Sequence, residues 1–151
     1  MKHINKEDLL KKEEETKKMK IWLEKYSKIF WIITLVIAIF IFYTSTLTFP
    51  LATGKLGITS ILYHLSVFFA LGFFLLISSL KGKLNCKIYL VIIISVLYGI
   101  LDELHQFFVP GRYTAFSDIL TDSVGIILAS TIYLIIIKLK NLKNYKKLIP
   151  L

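Results

Sequence analysis

The chain is poor in the residues that staple, interrupt or catalyse. Its single cysteine, Cys86, excludes an internal disulfide and any metal site built from several thiolates, leaving a reduced thiol as the first reading and palmitoylation as a lesser one. Three prolines and seven glycines in 151 residues leave long stretches in which nothing interrupts a helix. No H-E-x-x-H, no G-x-S-x-G and no glycine-rich phosphate loop occurs, so the readings that rest on those motifs fall away. Acidic residues are missing from the whole stretch between Glu24 and Asp102 and again after Asp122. A cleavable signal peptide is not expected, because the leading segment carries six acids and no A-x-A pattern follows the first apolar run.

What the chain does have is apolar sequence in blocks, with hydrophobic residues making up 56% of the total. Four runs, Ile29 to Phe49, Ile58 to Leu80, Ile88 to Phe108 and Phe116 to Ile137, are each long enough to cross a hydrocarbon core of about 30 Å at about 1.5 Å per residue. Pro50 and Gly54, then Lys81, Gly82 and Lys83, then Pro110 and Gly111 separate them. The expected fold class is all-α: a polytopic membrane protein of four transmembrane helices with short loops, preceded by a charged cytoplasmic N-terminal helix. Residues 1–28 would form that helix, with Glu13 and Lys17, and Glu14 and Lys18, at the i,i+4 spacing of a solvated surface. Residues 29–137 would form the membrane domain, with spans at 29–49, 58–80, 88–108 and 116–137, and 138–151 a basic cytoplasmic tail.

Basic residues set the orientation. Seventeen lysines precede the first span, lie between the second and third, or follow the fourth; the other two connections hold only Lys55 and Arg112. The positive-inside rule then places both termini in the cytoplasm of a cell membrane. The net charge of +9 follows from that topology and from anionic lipid head groups, and a nucleic-acid partner is not implied.

Acids are partitioned as sharply. Six of the ten precede the first span, and the other four, Asp102, Glu103, Asp118 and Asp122, sit at the outer ends of spans three and four. A charge within a span costs about 2.5–3.5 kcal/mol on insertion scales, so these four are expected to form one inward-facing, extracytoplasmic cluster. At about 100° per residue, Tyr98, Gly99, Asp102, Glu103, His105 and Gln106 share one half of span three, while Asp118, Asp122, Gly125 and Ala129 form a stripe on span four. Gly125 and Ala129 give a small-residue seam for a neighbouring helix. His64, about two turns into span two, reaches the same depth; it is read either as a hydrogen-bonded histidine of the bundle or as a ligand-handling group. His105 is expected at the membrane edge among the interface aromatics Phe107, Phe108, Tyr113 and Phe116. Against Lys55 and Arg112 the four acids leave two excess negative charges, so either a carboxylate is protonated or a cation completes the site. Arg112 is expected to pair with Glu103 or Asp118, or else to grip a phosphate.

Asp102-Glu103-Leu104-His105-Gln106, then Phe108-Val109-Pro110-Gly111-Arg112, then Asp118-Ile119-Leu120 and Gly125, resemble the signature of the VanZ-like family of small membrane proteins. His64 followed by Phe68, Leu71 and Gly72 looks like the histidine-containing helix of that family, so the resemblance covers roughly Tyr63 to Ala129. Two departures stand out: Asp122 replaces the usual asparagine four residues after the Asp, and Val67 and Phe68 fall where relatives often carry polar or phenolic groups. The family takes its name from a member associated with low-level resistance to teicoplanin.

The resemblance and the polar cluster together lead to an outward-facing pocket between spans two, three and four, lined by His64, Asp102, Glu103, Gln106, Arg112, Asp118 and Asp122. The expected partners are membrane lipids and a cell-envelope amphiphile or lipoglycopeptide. No cofactor is expected, a divalent cation being the less favoured alternative. The alternative function is a metal-dependent hydrolase built from the carboxylates and His64 and acting on a lipid-linked envelope substrate. A small transporter fits less well, because no ionisable residue continues a polar path through the other spans.

Overall fold

The structure, a computed structural model, describes residues 6–47, 57–81, 87–112 and 114–146. Four helices make it up: α1 (Lys6–Thr46), α2 (Ile58–Leu80), α3 (Ile88–Phe107) and α4 (Phe116–Lys146), with no strand among the described residues. Each contains a stretch long and apolar enough to cross a membrane: Glu24–Thr46, Ile58–Leu80, Ile88–Phe107 and Phe116–Leu139. The all-α, four-span expectation therefore holds. Pro50, Gly54 and Lys55 of the first connection, Gly82, Lys83 and Cys86 of the second, and Tyr113 lie outside the described residues.

The separate charged N-terminal helix does not hold. Its residues are the opening turns of α1, which runs for 41 residues without interruption into the first span. No proline or glycine occurs between Lys6 and Thr46, and extending a formed helix by one residue costs less than ending it. Lys18 and Glu14 form the i,i+4 ion pair, at 2.8 Å. At about 1.5 Å per residue α1 is about 60 Å long, so its charged half extends beyond the apolar half.

α2 is the hub, packing against α4, α1 and α3; α3 also meets α4 and α1, while α1 and α4 do not touch among the described residues. With little hydrophobic drive between helices in lipid, close backbone approach and van der Waals contact must hold such a bundle. The α2–α4 seam supplies that approach at Gly125, where a Cβ would lie 2.6 Å from the Leu65 carbonyl oxygen and 3.0 Å from the Phe69 nitrogen. Further along, a Cβ on Gly72 would meet Ala129 and Ile126 at an ordinary 3.5 Å. Two apolar clusters fill the bundle: Ile41, Phe68, Leu71 and Ile126 nearer the α3–α4 connection, and Leu76, Leu80, Val91, Tyr133 and Ile137 at the opposite end. Ile32, Leu35, Ile39, Ile94, Leu101 and Ile127 are exposed, forming the apolar outer surface that a membrane protein turns to lipid.

Candidate functional site

The α3–α4 connection is short because a tight turn closes it. Val109-Pro110-Gly111-Arg112 has a positive φ of 83° at Gly111 and an Arg112 N–H to Val109 carbonyl bond of 3.2 Å. Proline followed by a positive-φ glycine is the pattern of a type II turn. It returns the chain so that the last turn of α3 and the first turns of α4 lie side by side, and all four acids of the two helices end up buried.

One half of the site is built around α3. Asp102 Oδ1 accepts the Ser45 hydroxyl at 2.6 Å, from the last turn of α1, and its Oδ2 accepts Gln106 Nε2 at 2.9 Å. The same Gln106 amide reaches Glu103 Oε1 at 3.2 Å, and Glu103 Oε2 accepts the backbone N–H of Ala115 at 3.3 Å. Gln106 thus holds two buried carboxylates side by side, a role its two N–H donors suit.

The other half is built around α2. His64 Nδ1 lies 3.0 Å from Asp122 Oδ1, and its Nε2 lies 3.8 Å from Asp118 Oδ2. The Gly125 seam explains this placement, since pressing α4 onto α2 at Leu65 brings the acids of the preceding turns against the imidazole. One ligand-type atom from each of His64, Glu103 and Asp118 lies within 4.8 Å of the other two, which joins the halves. Asp122, only 1% exposed, has a second oxygen, Oδ2, with no hydrogen-bond partner among the described residues; a Cβ at Gly99 would come within 3.3 Å of it.

Of the seven residues expected at the site, six converge: His64, Asp102, Glu103, Gln106, Asp118 and Asp122. Arg112 is close by but differently engaged. Its Nη2 donates to the Thr44 carbonyl at 3.0 Å and its Nε to the Ser45 carbonyl at 3.3 Å, so the expected ion pair with Glu103 or Asp118 is absent among the described residues. The last carbonyls of a helix have no intrahelical partner and carry the negative end of its dipole, which makes them a good seat for a guanidinium. His105 stacks on Phe42 with ring centroids 4.3 Å apart, next to the strongly exposed Phe107 and Phe108.

Sequence reading missed the contribution of α1. Ser45 binds Asp102, Thr44 bonds the Tyr63 hydroxyl, and the Tyr98 hydroxyl donates to the Ala38 carbonyl at 2.6 Å. The hydroxyl run Thr44-Ser45-Thr46 was the available signal, three polar side chains closing an apolar span at the end where the acids of spans three and four also lie.

No curated protein and no solved structure matches the chain. The VanZ/LLP1 family profile matches residues 14–137, which extends well beyond the part that carries the sequence resemblance and takes in α1 from its charged turns onward. With the first three spans, all but the last two residues of the fourth, and every residue of the buried cluster inside that match, the chain belongs to the VanZ/LLP1 family of membrane proteins.

Proposed function

We propose that this protein binds a cell-envelope amphiphile at the extracytoplasmic end of its bundle, a role of the teicoplanin-resistance kind. The observation that carries the reading is the convergence of four buried carboxylates with His64 and Gln106 at one end of an otherwise apolar bundle. Burying that many acids costs folding energy, which a fold retains for what the acids hold. Orientation rests on the seventeen lysines on one side against Lys55 and Arg112 on the other, which puts the termini in the cytoplasm and this end outside. A donor-rich head group of hydroxyls, amides or ammonium suits carboxylate acceptors. The exposed Leu104, Phe107, Phe108 and Phe116 beside it suit an acyl chain.

The test uses the full chain in lipid nanodiscs with two probes, teicoplanin and a lipid-linked cell-wall precursor. Saturable binding of either, weakened about tenfold or more by Glu103→Gln or Asp118→Asn in chains that keep their helicity, is the expected result. Equal binding by parent and variants, or no saturable binding by a folded parent, would overturn the reading. Catalysis is the second reading, favoured by the grouping of His64, Glu103 and Asp118. Steady release of product from the precursor, abolished by Glu103→Gln, would establish it.

A further inference from the structure

The geometry points to a divalent transition-metal site in which His64 Nε2, Glu103 and Asp118 are the ligands and Asp122 is the carboxylate that orients the histidine. This goes beyond amphiphile binding, and each stands or falls without the other.

The donor set comes first. One nitrogen and two carboxylate groups, from α2, α3 and α4, offer atoms mutually within 4.8 Å. Two ligands about 2.0–2.2 Å from a tetrahedral zinc are about 3.3–3.6 Å apart, and wider angles separate them further. The 3.8 Å between His64 Nε2 and Asp118 Oδ2 is too long for a hydrogen bond and suits two groups facing a common ion. A mixed imidazole and carboxylate set suits zinc and its neighbours better than magnesium or calcium, which take oxygen alone.

Orientation comes second. A metal-bound histidine almost always donates its other ring nitrogen to a carboxylate or carbonyl, which fixes the tautomer and leaves the first nitrogen's lone pair for the ion. Here Asp122 Oδ1 lies 3.0 Å from Nδ1, the placement of an acceptor for an Nδ1 proton, while Nε2 lies on the side of Glu103 and Asp118.

An independent observation is the state of Asp122 itself. Its Oδ2 is buried and has no hydrogen-bond partner among the described residues, lying against α3 at Gly99, one turn from Glu103. Buried polar atoms are almost always satisfied, and an orphan on the carboxylate behind His64 points to a positive charge nearby. Arg112 does not meet that need, because its bonds run to α1 carbonyls. Four carboxylates and one guanidinium are brought to a single formal negative charge by a dication.

The experiment uses full-length protein in detergent, stripped with chelator, freed of it and titrated calorimetrically with zinc, with magnesium as the comparison. One zinc per chain is expected, with a higher thermal midpoint that chelator reverses. Glu103→Gln and Asp118→Asn should each weaken zinc about tenfold or more, Asp122→Asn about 10–100-fold, and Ser130→Ala on the same helix not at all. Every variant is first required to show the parental far-ultraviolet spectrum and monodisperse elution. Cobalt bound to the parent chain needs no variant: a visible absorption band of a tetrahedral nitrogen and oxygen site is expected. A folded parent that takes up no stoichiometric zinc overturns the assignment, as do folded ligand variants that bind it as the parent does. A cobalt spectrum of the hydrated ion overturns it as well.

Discussion

At the scale of single residues, the site depends on who donates to each carboxylate. Ser45 is the partner of Asp102 Oδ1, and Ser45→Ala would leave that buried oxygen unsatisfied. The expected loss is about 1–3 kcal/mol, read as a lower thermal midpoint in detergent, with Ser45→Thr retaining most of the parental stability. Arg112 makes a sharper case. Had it paired with a buried carboxylate, its removal would cost about 3–5 kcal/mol. With α1 carbonyls as partners the expected loss for Arg112→Ala is smaller, about 1.5–3 kcal/mol, and cation or ligand binding at the acids should survive it. A larger drop in the thermal midpoint together with lost binding would mean that the guanidinium serves the carboxylates after all. Residue types and positions are legible in the sequence here for the acids, His64 and Gln106, which converge as expected. The partner of Arg112 is not, because a guanidinium reaches either a helix end or a carboxylate, and only the position of α1 decides between them.

At the scale of elements, two glycines set the geometry that brings the acids together. Gly125 lets α4 lie against the α2 backbone, and Gly125→Ala would force a Cβ to within 2.6 Å of the Leu65 carbonyl oxygen. Because the obstacle is backbone, the helices must part, at a cost of about 1–3 kcal/mol. The measurements are the thermal midpoint and, since His64 and Asp122 sit one turn away, zinc affinity; unchanged values for both would refute the seam. Gly111 allows the positive φ of the α3–α4 turn, and Gly111→Ala should cost about 1–2 kcal/mol of stability in the same assay. The small-residue stripe on span four was visible in the sequence from its spacing. The fusion of the charged segment with the first span into α1 differs from the expected separate helix, and its physical reason is the absence of any proline or glycine between Lys6 and Thr46.

At the scale of the whole molecule, topology decides which side of the membrane the buried acids face. Seventeen lysines against Lys55 and Arg112 predict that Cys86 is cytoplasmic. A membrane-impermeant maleimide applied to intact cells should leave Cys86 unlabelled and label it after permeabilisation; labelling in intact cells would reverse the orientation. The sequence by itself determined the class of molecule, because span length, apolar run and charge partition are properties of a segment and need no knowledge of its neighbours. It also determined that the four acids of spans three and four gather together, because acids are too costly inside spans to be scattered there. Only the tertiary structure decided the pairings: Ser45 with Asp102, His64 between Asp122 and Asp118, and Arg112 on the end of α1. Motif spacing along the chain is silent on a grouping such as His64, Glu103 and Asp118, whose members come from three different helices. Spacing along a chain fixes which side chains share a helix face. Which faces meet, and at what depth, is set by how closely the backbones pack, and here that distance is governed by a glycine on α4 against a carbonyl on α2.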